Sequence, residues 1–167
     1  MIVLVSRHHV GRYMEDGTLE LEIPCDNEGY VLLQCPKCGE LFKARPSDIE
    51  DDSVLHIYCP SCGLTSDSFL TDDAVELATA MTSNWALEQL DKEFEKMARK
   101  AKAHKSPISL ELKTKWEEVP ETPLMPSVEA LVSETCPDCE RTAKISPLLA
   151  MSSHTCPFCG RGQFNDR

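Results

Sequence analysis

Short apolar runs and polar–apolar alternation in the first sixty residues predict β-strands. Residues 18–23 read Thr-Leu-Glu-Leu-Glu-Ile, an alternation that is typical of a strand with one buried face. Residues 2–5 form a short apolar run, and residues 30–34 form another that leads directly into a Cys-Pro-Lys-Cys motif. Residues 41–44 are predicted to form the strand that leaves this motif, and residues 54–58 the strand that enters a second such motif. The strands and the cysteine motifs therefore form one unit.

A period of three to four residues replaces this pattern at Thr71 and predicts one long helix, residues 71–104. Thr71 can cap the helix, and acidic residues follow it where they complement the helix dipole. Two apolar stripes out of phase imply that the helix bends, breaks near Asn84 or faces two surfaces; they are Ala74, Ala78, Met81 and Trp85, then Leu87, Leu90, Phe94, Met97 and Ala101. A helix of this size spans about 45 Å and needs a surface to lie against.

The helix is predicted to end at Pro107. Leu110 and Leu112 alternate with charged residues and indicate one more short strand. Prolines at 120, 123 and 126 then mark a linker that cannot be helical.

Eight of the nine cysteines fall into four Cys-Pro-x-Cys pairs, which begin at Cys35, Cys59, Cys136 and Cys156. Two residues between cysteines let one tight turn present both sulfurs to a single metal ion. Glycine follows three of the pairs and permits a positive φ, whereas Glu140 follows the third. The ninth, Cys25, is predicted to be a buried or half-buried thiol without a role.

This arrangement resembles the zinc-ribbon superfamily, in which two such knuckles on short hairpins clamp one metal. The resemblance covers residues 35–62 and 136–159. It implies two structural Zn²⁺ ions, the first held by Cys35, Cys38, Cys59 and Cys62, and the second by Cys136, Cys139, Cys156 and Cys159. Disulfides, buried thiols and a glutaredoxin-like redox site are the alternatives, and four motifs in two balanced pairs favour metal. Four thiolates close the coordination sphere, so we expect no enzyme activity.

The predicted fold class is α+β, with two zinc ribbons of short antiparallel strands joined by a long amphipathic helix and a proline-bearing linker. Each ribbon is too small to fold on apolar burial alone and depends on its metal. The predicted division is a β segment with the first ribbon (1–70), the helix (71–105), a short strand and linker (106–133) and the second ribbon (134–167). Serine in place of Cys35 or Cys59 would then unfold the first ribbon and leave the second metallated.

Charge and targeting signals narrow the functional classes. The formal net charge of −11 repels nucleic acid at long range, so any phosphate contact requires a local basic patch. The apolar opening is too short for a secretory signal, and no apolar run reaches the length of a membrane span. We therefore expect a cytoplasmic protein with reduced cysteines and no membrane partner.

Two surfaces are candidates for binding. Basic residues concentrate between positions 96 and 115, including Lys96, Arg99, Lys100, Lys102 and Lys105. They predict either a contact surface for nucleic-acid phosphate or an acidic partner, or a solvated helix end. Phe158 in the last knuckle could stack on a base, enter a groove of a partner or cover the core of the ribbon.

The leading hypothesis is a non-enzymatic intracellular adaptor that docks on a larger protein, or on a second copy, through helix 71–104 and the ribbons. It is motivated by a helix with more apolar surface than two ribbons can cover. The alternative is a nucleic-acid-binding protein that uses the 96–115 patch and the C-terminal ribbon.

Overall fold

The computed structural model describes residues 12–13, 19–103, 116–126 and 130–164. The secondary-structure elements of this part of the chain are β1 (Arg12–Tyr13), β2 (Leu19–Glu20), β3 (Val31–Gln34), β4 (Leu41–Ala44), α1 (Pro46–Ile49), α2 (Asp72–Ala103), β5 (Val132–Thr135), β6 (Thr142–Ile145), α3 (Pro147–Ala150), β7 (Ser153–Thr155) and β8 (Gly162–Phe164). The strands form three antiparallel sheets, β1-β2, β3-β4-β6-β5 and β7-β8.

The central sheet joins the two cysteine-rich halves of the chain. β4 pairs with β6, and Lys43 lies directly opposite Lys144. The sequence analysis places the two ribbons apart, on either side of the long helix; in the structure they share one sheet. The physical reason is that Phe42, Lys43 and Ala44 are all buried. A strand covered on both faces packs as a central strand and not as the edge of an isolated hairpin.

The two halves are structural repeats of each other. Each consists of a hairpin with a cysteine knuckle at its tip, a four-residue helix that begins with proline, and a second knuckle. Two backbone hydrogen bonds between the halves are reciprocal: the N–H of Tyr58 donates to Pro157 O, and the N–H of Thr155 donates to Pro60 O, both at 2.9 Å. The chain is therefore an intramolecular pair of equivalent units related by a pseudo-two-fold axis.

One apolar cluster serves both halves. It lies on the face of the sheet that carries Phe42 and Ile145, and it includes Phe69, Cys59 and Cys156. Because residues of both repeats fill the same core, neither half has a complete core of its own.

The helix α2 confirms the long helix that the sequence predicts. It runs without interruption through Asn84, and its first turns pack Ala74, Leu77 and Met81 against Leu21 in a second cluster. The N–H of Ala74 donates to Oγ1 of Thr71 at 3.4 Å, so Thr71 acts as the predicted cap.

The linker of residues 116–126 has no regular secondary structure and runs back along α2. The Asn84 side chain donates to Val119 O at 2.8 Å and accepts from the N–H of Val119 at 2.9 Å. Trp116 Nε1 donates to Asp91 at 3.0 Å nearer the far end of the helix. Asn84 therefore binds the linker to α2 through two hydrogen bonds, and the helix does not break there.

Two further strand predictions have different outcomes. Residues 41–44 form the predicted strand, but residues 54–58 form only an isolated bridge between Tyr58 and Thr65. The strands predicted at residues 2–5 and 110–112 lie outside the described residues. Within the described residues, no helix combines the length and apolar character needed to cross a bilayer.

Candidate metal centres

All four cysteine knuckles have the same backbone geometry. In the first, the N–H of Cys35 donates to Glu40 O at 2.9 Å, and the N–H of Gly39 donates back to Cys35 O at 2.8 Å. The same two bonds recur in the other three knuckles. The residue after each second cysteine has a positive φ, and these residues are Gly39 (77°), Gly63 (69°), Glu140 (57°) and Gly160 (70°). The third knuckle thus keeps the common geometry even though Glu140 replaces glycine.

The knuckles bring eight sulfurs together in two sets of four. The first set contains Cys35, Cys38, Cys59 and Cys62, and the second contains Cys136, Cys139, Cys156 and Cys159. In each set all ligand atoms lie within 4.8 Å of one another. The two sets are those that the zinc-ribbon resemblance implies.

The sulfur–sulfur distances fit a tetrahedral metal site. Sγ of Cys35 lies 3.8 Å from Sγ of Cys62, and Sγ of Cys38 lies 3.5 Å from Sγ of Cys59. The corresponding distances in the second set are both 3.7 Å. A tetrahedron with metal–sulfur bonds of about 2.3 Å has edges of about 3.8 Å. Each set could therefore hold one ion in nearly its present geometry. The described residues include all nine cysteines and contain no disulfide.

Backbone N–H groups favour ionisation of one cysteine in each set. Burial opposes ionisation of Cys35, but the N–H groups of Lys37 and Cys38 point at its sulfur and lower its pKa to about 7. Burial likewise opposes ionisation of Cys136, and the N–H groups of Cys139 and Asp138 outweigh it and lower the pKa. Such amide donors stabilise a thiolate, which is the form that binds metal.

At the most buried cysteine of each set, backbone N–H donors do not offset the effect of burial on the thiol. Burial raises the pKa of Cys59 and Cys156 well above that of an ordinary thiol. Four thiolates in contact would also carry a charge of −4, so a cation is needed before all four can ionise. The arrangement is suited to holding a soft divalent ion.

The described residues of the two predicted binding surfaces lie in different elements, Phe158 in the last knuckle and the cations on α2. Phe158 is only 4% exposed and belongs to the shared core. Of the three roles that the sequence analysis gives it, the structure supports the one in which its ring covers the core. Lys96 pairs with Glu93 at 2.6 Å, and Arg99 pairs with Glu95 at 2.8 Å.

Carboxylates therefore alternate with the cations along this part of α2. Lys100 lies on the same helix, whereas Lys105 and the side chain of Lys102 lie outside the described part of the structure. Over its described side chains, the helix does not present a purely positive surface.

Comparisons of the chain with protein-family models, curated proteins and solved structures find no match. The resemblance to zinc ribbons thus rests on the spacing of the cysteines and on the geometry of the knuckles.

The sequence analysis missed a polar cluster on the opposite face of the central sheet. Oδ2 of Asp26 accepts hydrogen bonds from Lys43 at 3.2 Å and Lys144 at 3.3 Å, at the seam between the halves. Lys144 also lies 4.6 Å from the ring centroid of Tyr30 and 3.0 Å from Glu28. The signal in the sequence was the repetition: Lys43 follows Cys35 at the same distance as Lys144 follows Cys136.

Gly160 offers a test of how tightly the second and fourth knuckles pack. A Cβ atom at Gly160 would lie 2.8 Å from Cζ of Tyr58, whereas a Cβ at Gly39 would meet nothing within 4 Å. Both glycines have positive φ, so Gly39→Ala measures the backbone strain alone, about 1 kcal/mol. Gly160→Ala should cost roughly 1–3 kcal/mol more because the Tyr58 ring must move. Free energies of unfolding at a fixed, saturating metal concentration measure the difference, and equal losses in the two variants would show that the knuckles are not in close contact.

Proposed function

We propose that the chain is a non-enzymatic protein whose two zinc ions are structural and whose task is to dock on a larger protein partner. The observation that carries the structural role is the pair of four-sulfur sets, each of which has two of its cysteines buried in the shared core. A tetrahedral set of four thiolates suits zinc, with iron as the other common occupant. The arrangement of each site on two knuckles is consistent with a zinc ribbon.

Four cysteines complete the coordination of zinc and leave no position for water or substrate. Cys35 and Cys59 in the first set, and Cys136 and Cys156 in the second, are buried, and the backbone surrounds them with N–H donors. Catalytic zinc requires an open position. Function is therefore assigned to surfaces away from the metals.

Exposed apolar side chains support docking on a protein. Leu90 and Met97 are exposed on the half of α2 beyond Asn84, and Leu148 in α3 and Met151 at its C-cap are exposed as well. Met and Leu on an acidic surface provide the kind of apolar contact that protein partners cover. The described part of α2 does not favour the nucleic-acid alternative, since its cations alternate with carboxylates.

Metal analysis and site-specific photo-crosslinking test the two parts of the proposal. Elemental analysis of the purified chain should find two zinc ions per molecule; one ion, or iron, would contradict the assignment.

A photo-crosslinking amino acid at Met97 or Met151 should give a discrete protein adduct in the native host. Glu50 occupies in the first repeat the place that Met151 has in the second, and it serves as the control site. Adducts no more frequent at the methionines than at Glu50 would overturn the docking proposal.

Nucleic-acid binding is measured separately. Fluorescence anisotropy with a labelled DNA duplex and with RNA at low and high salt should show no binding. Salt-sensitive binding that is lost in a Lys96→Glu, Arg99→Glu variant would replace the adaptor proposal with the alternative.

A further inference from the structure

The two outer strands of the central sheet are equivalent in the repeats but differ in what covers them. β3 and β5 form the two edges of the four-stranded sheet. An edge strand presents unpaired N–H and C=O groups that can pair with another segment. The repeat therefore allows one edge to be compared directly with the other.

The chain covers the edge formed by β3 with its own residues 66–70. The N–H of Gln34 donates to Phe69 O at 2.9 Å. The Phe69 ring packs edge-on against Phe42, with 5.6 Å between ring centroids. Val31, on the same strand, is only 2% exposed.

The edge formed by β5 lacks an equivalent cover among the described residues. Thr135 occupies the place of Gln34, immediately before a knuckle cysteine. The N–H of Cys136 points to Arg141 O across the hairpin, so strand alternation directs the N–H groups of Ser133 and Thr135 outward. No backbone carbonyl in the described part of the chain accepts either of them. Val132, the counterpart of Val31, is 38% exposed.

Apolar side chains flank this open edge. The helix α3 lies against β5; Leu148 in this helix and Met151 at its C-cap are 75% and 72% exposed. The equivalent positions in the first repeat are Ser47 in α1 and Glu50 at its C-cap, and both are polar. Among the described residues, the second repeat thus combines a strand edge whose outward N–H groups have no backbone acceptor with an apolar surface, where the first repeat has a paired Gln34 and polar side chains.

We propose that the outer edge of β5 binds an extended segment of a partner protein by strand addition, with an apolar side chain of that segment packed over Val132 and α3. This inference rests on the proposed docking function and specifies its surface. The kind of occupant follows from the first repeat, where a segment contributes one backbone hydrogen bond and one buried aromatic ring to the equivalent edge. A second copy is the poorer candidate because each chain carries a net charge of −11.

A proline substitution isolates the strand edge. Ser133→Pro removes an outward N–H and should leave the pairing of β5 with β6 intact, because edge strands tolerate proline on the outer side. Ser133→Ala keeps the N–H and is the matched control. The probe is a phage-displayed library of random nine-residue peptides, panned against the zinc-loaded full-length protein.

Enriched peptides should alternate apolar with polar residues, bind the wild type and Ser133→Ala at least tenfold more tightly than Ser133→Pro, and shift the Ser133 and Thr135 amide resonances. Circular dichroism and zinc content establish that Ser133→Pro is folded; if it is not, the amide shifts in the wild type decide alone. Peptides that bind Ser133→Pro equally well and leave these amides unshifted overturn the inference, as does concentration-dependent self-association through the same edge. An adduct at Met97 together with such a result would leave the docking function intact and reject only this surface.

Discussion

Replacing Cys59 with serine is expected to release both zinc ions and to unfold both halves of the protein. Cys59 and Cys156 lie in one apolar cluster, and the strands of the two repeats share one sheet. A structural zinc site contributes about 10 to 16 kcal/mol, which is as large as the total stability of about 5 to 15 kcal/mol of a typical small domain. The half that keeps four cysteines therefore cannot remain folded once its neighbour is lost. This expectation replaces the independent unfolding that two separate ribbons would show.

Native mass spectrometry and circular dichroism measure this coupling. Zinc titrated into the metal-free protein should give mainly species with none or two ions, and Cys59→Ser should show neither bound zinc nor the native spectrum. Cys25→Ser is the control, because Cys25 belongs to neither set of ligands. A Cys59→Ser protein that retains one zinc ion and about half of the native signal would show that the halves fold independently.

The ligand sets could be predicted because they depend on local spacing. A Cys-Pro-x-Cys turn places two sulfurs together whatever surrounds it, and the structure combines the four turns in the pairs that follow their order in the chain. The strand over residues 41–44 is also predictable, since it follows a knuckle that must return the chain, and the long helix is predictable from its apolar period. The identity of the bound metal stays a prediction.

The shared sheet could not be predicted in the same way. Pairing of β4 with β6 joins residues far apart in sequence, and no local pattern specifies which strand lies beside which. The sequence repeats a lysine, Lys43 and Lys144, and a proline, Pro46 and Pro147, at equal distances from the knuckles. This repetition does not by itself indicate that the two halves pair with each other. Asn84 illustrates a second limit: two apolar stripes out of phase leave a break near Asn84 as one alternative, whereas the helix is continuous and the Asn84 amide binds the linker.

Asp26→Asn is expected to weaken the seam between the repeats by about 2–3 kcal/mol, somewhat less than the loss of a fully buried ion-pair partner. Lys43 and Lys144 lie directly opposite each other on neighbouring strands and are both buried, so their charges repel unless a carboxylate lies between them. Asparagine keeps the oxygen that accepts the N–H groups of Glu28 and Tyr30 but removes the negative charge.

The pH dependence of this contribution has a definite sign. Burial opposes ionisation of Asp26. The backbone N–H of Tyr30, the Lys43 ammonium, the backbone N–H of Glu28 and the Lys144 ammonium outweigh it and lower the pKa of Asp26 from 3.8 to about 2. A lowered pKa means that the stabilisation is complete above pH 4 or so and is lost as the pH falls toward about 2. Thiolate ligands are protonated and release zinc in acid, so the variants are best compared at pH 7.

A second substitution distinguishes charge from shape at the seam. If unbalanced lysine charge causes the loss, Lys43→Met in the Asp26→Asn background should recover at least about 1 kcal/mol, since an apolar side chain of similar length removes one of the two facing charges. Glu28→Gln is the matched control, because Glu28 contacts Lys144 at 3.0 Å but its side chain is 68% exposed, and it should cost less than about 1 kcal/mol. Urea unfolding at saturating zinc measures all four proteins. A double variant no more stable than Asp26→Asn would mean that Asp26 acts through the turn that it caps, and the seam would then depend on apolar packing and the metals alone.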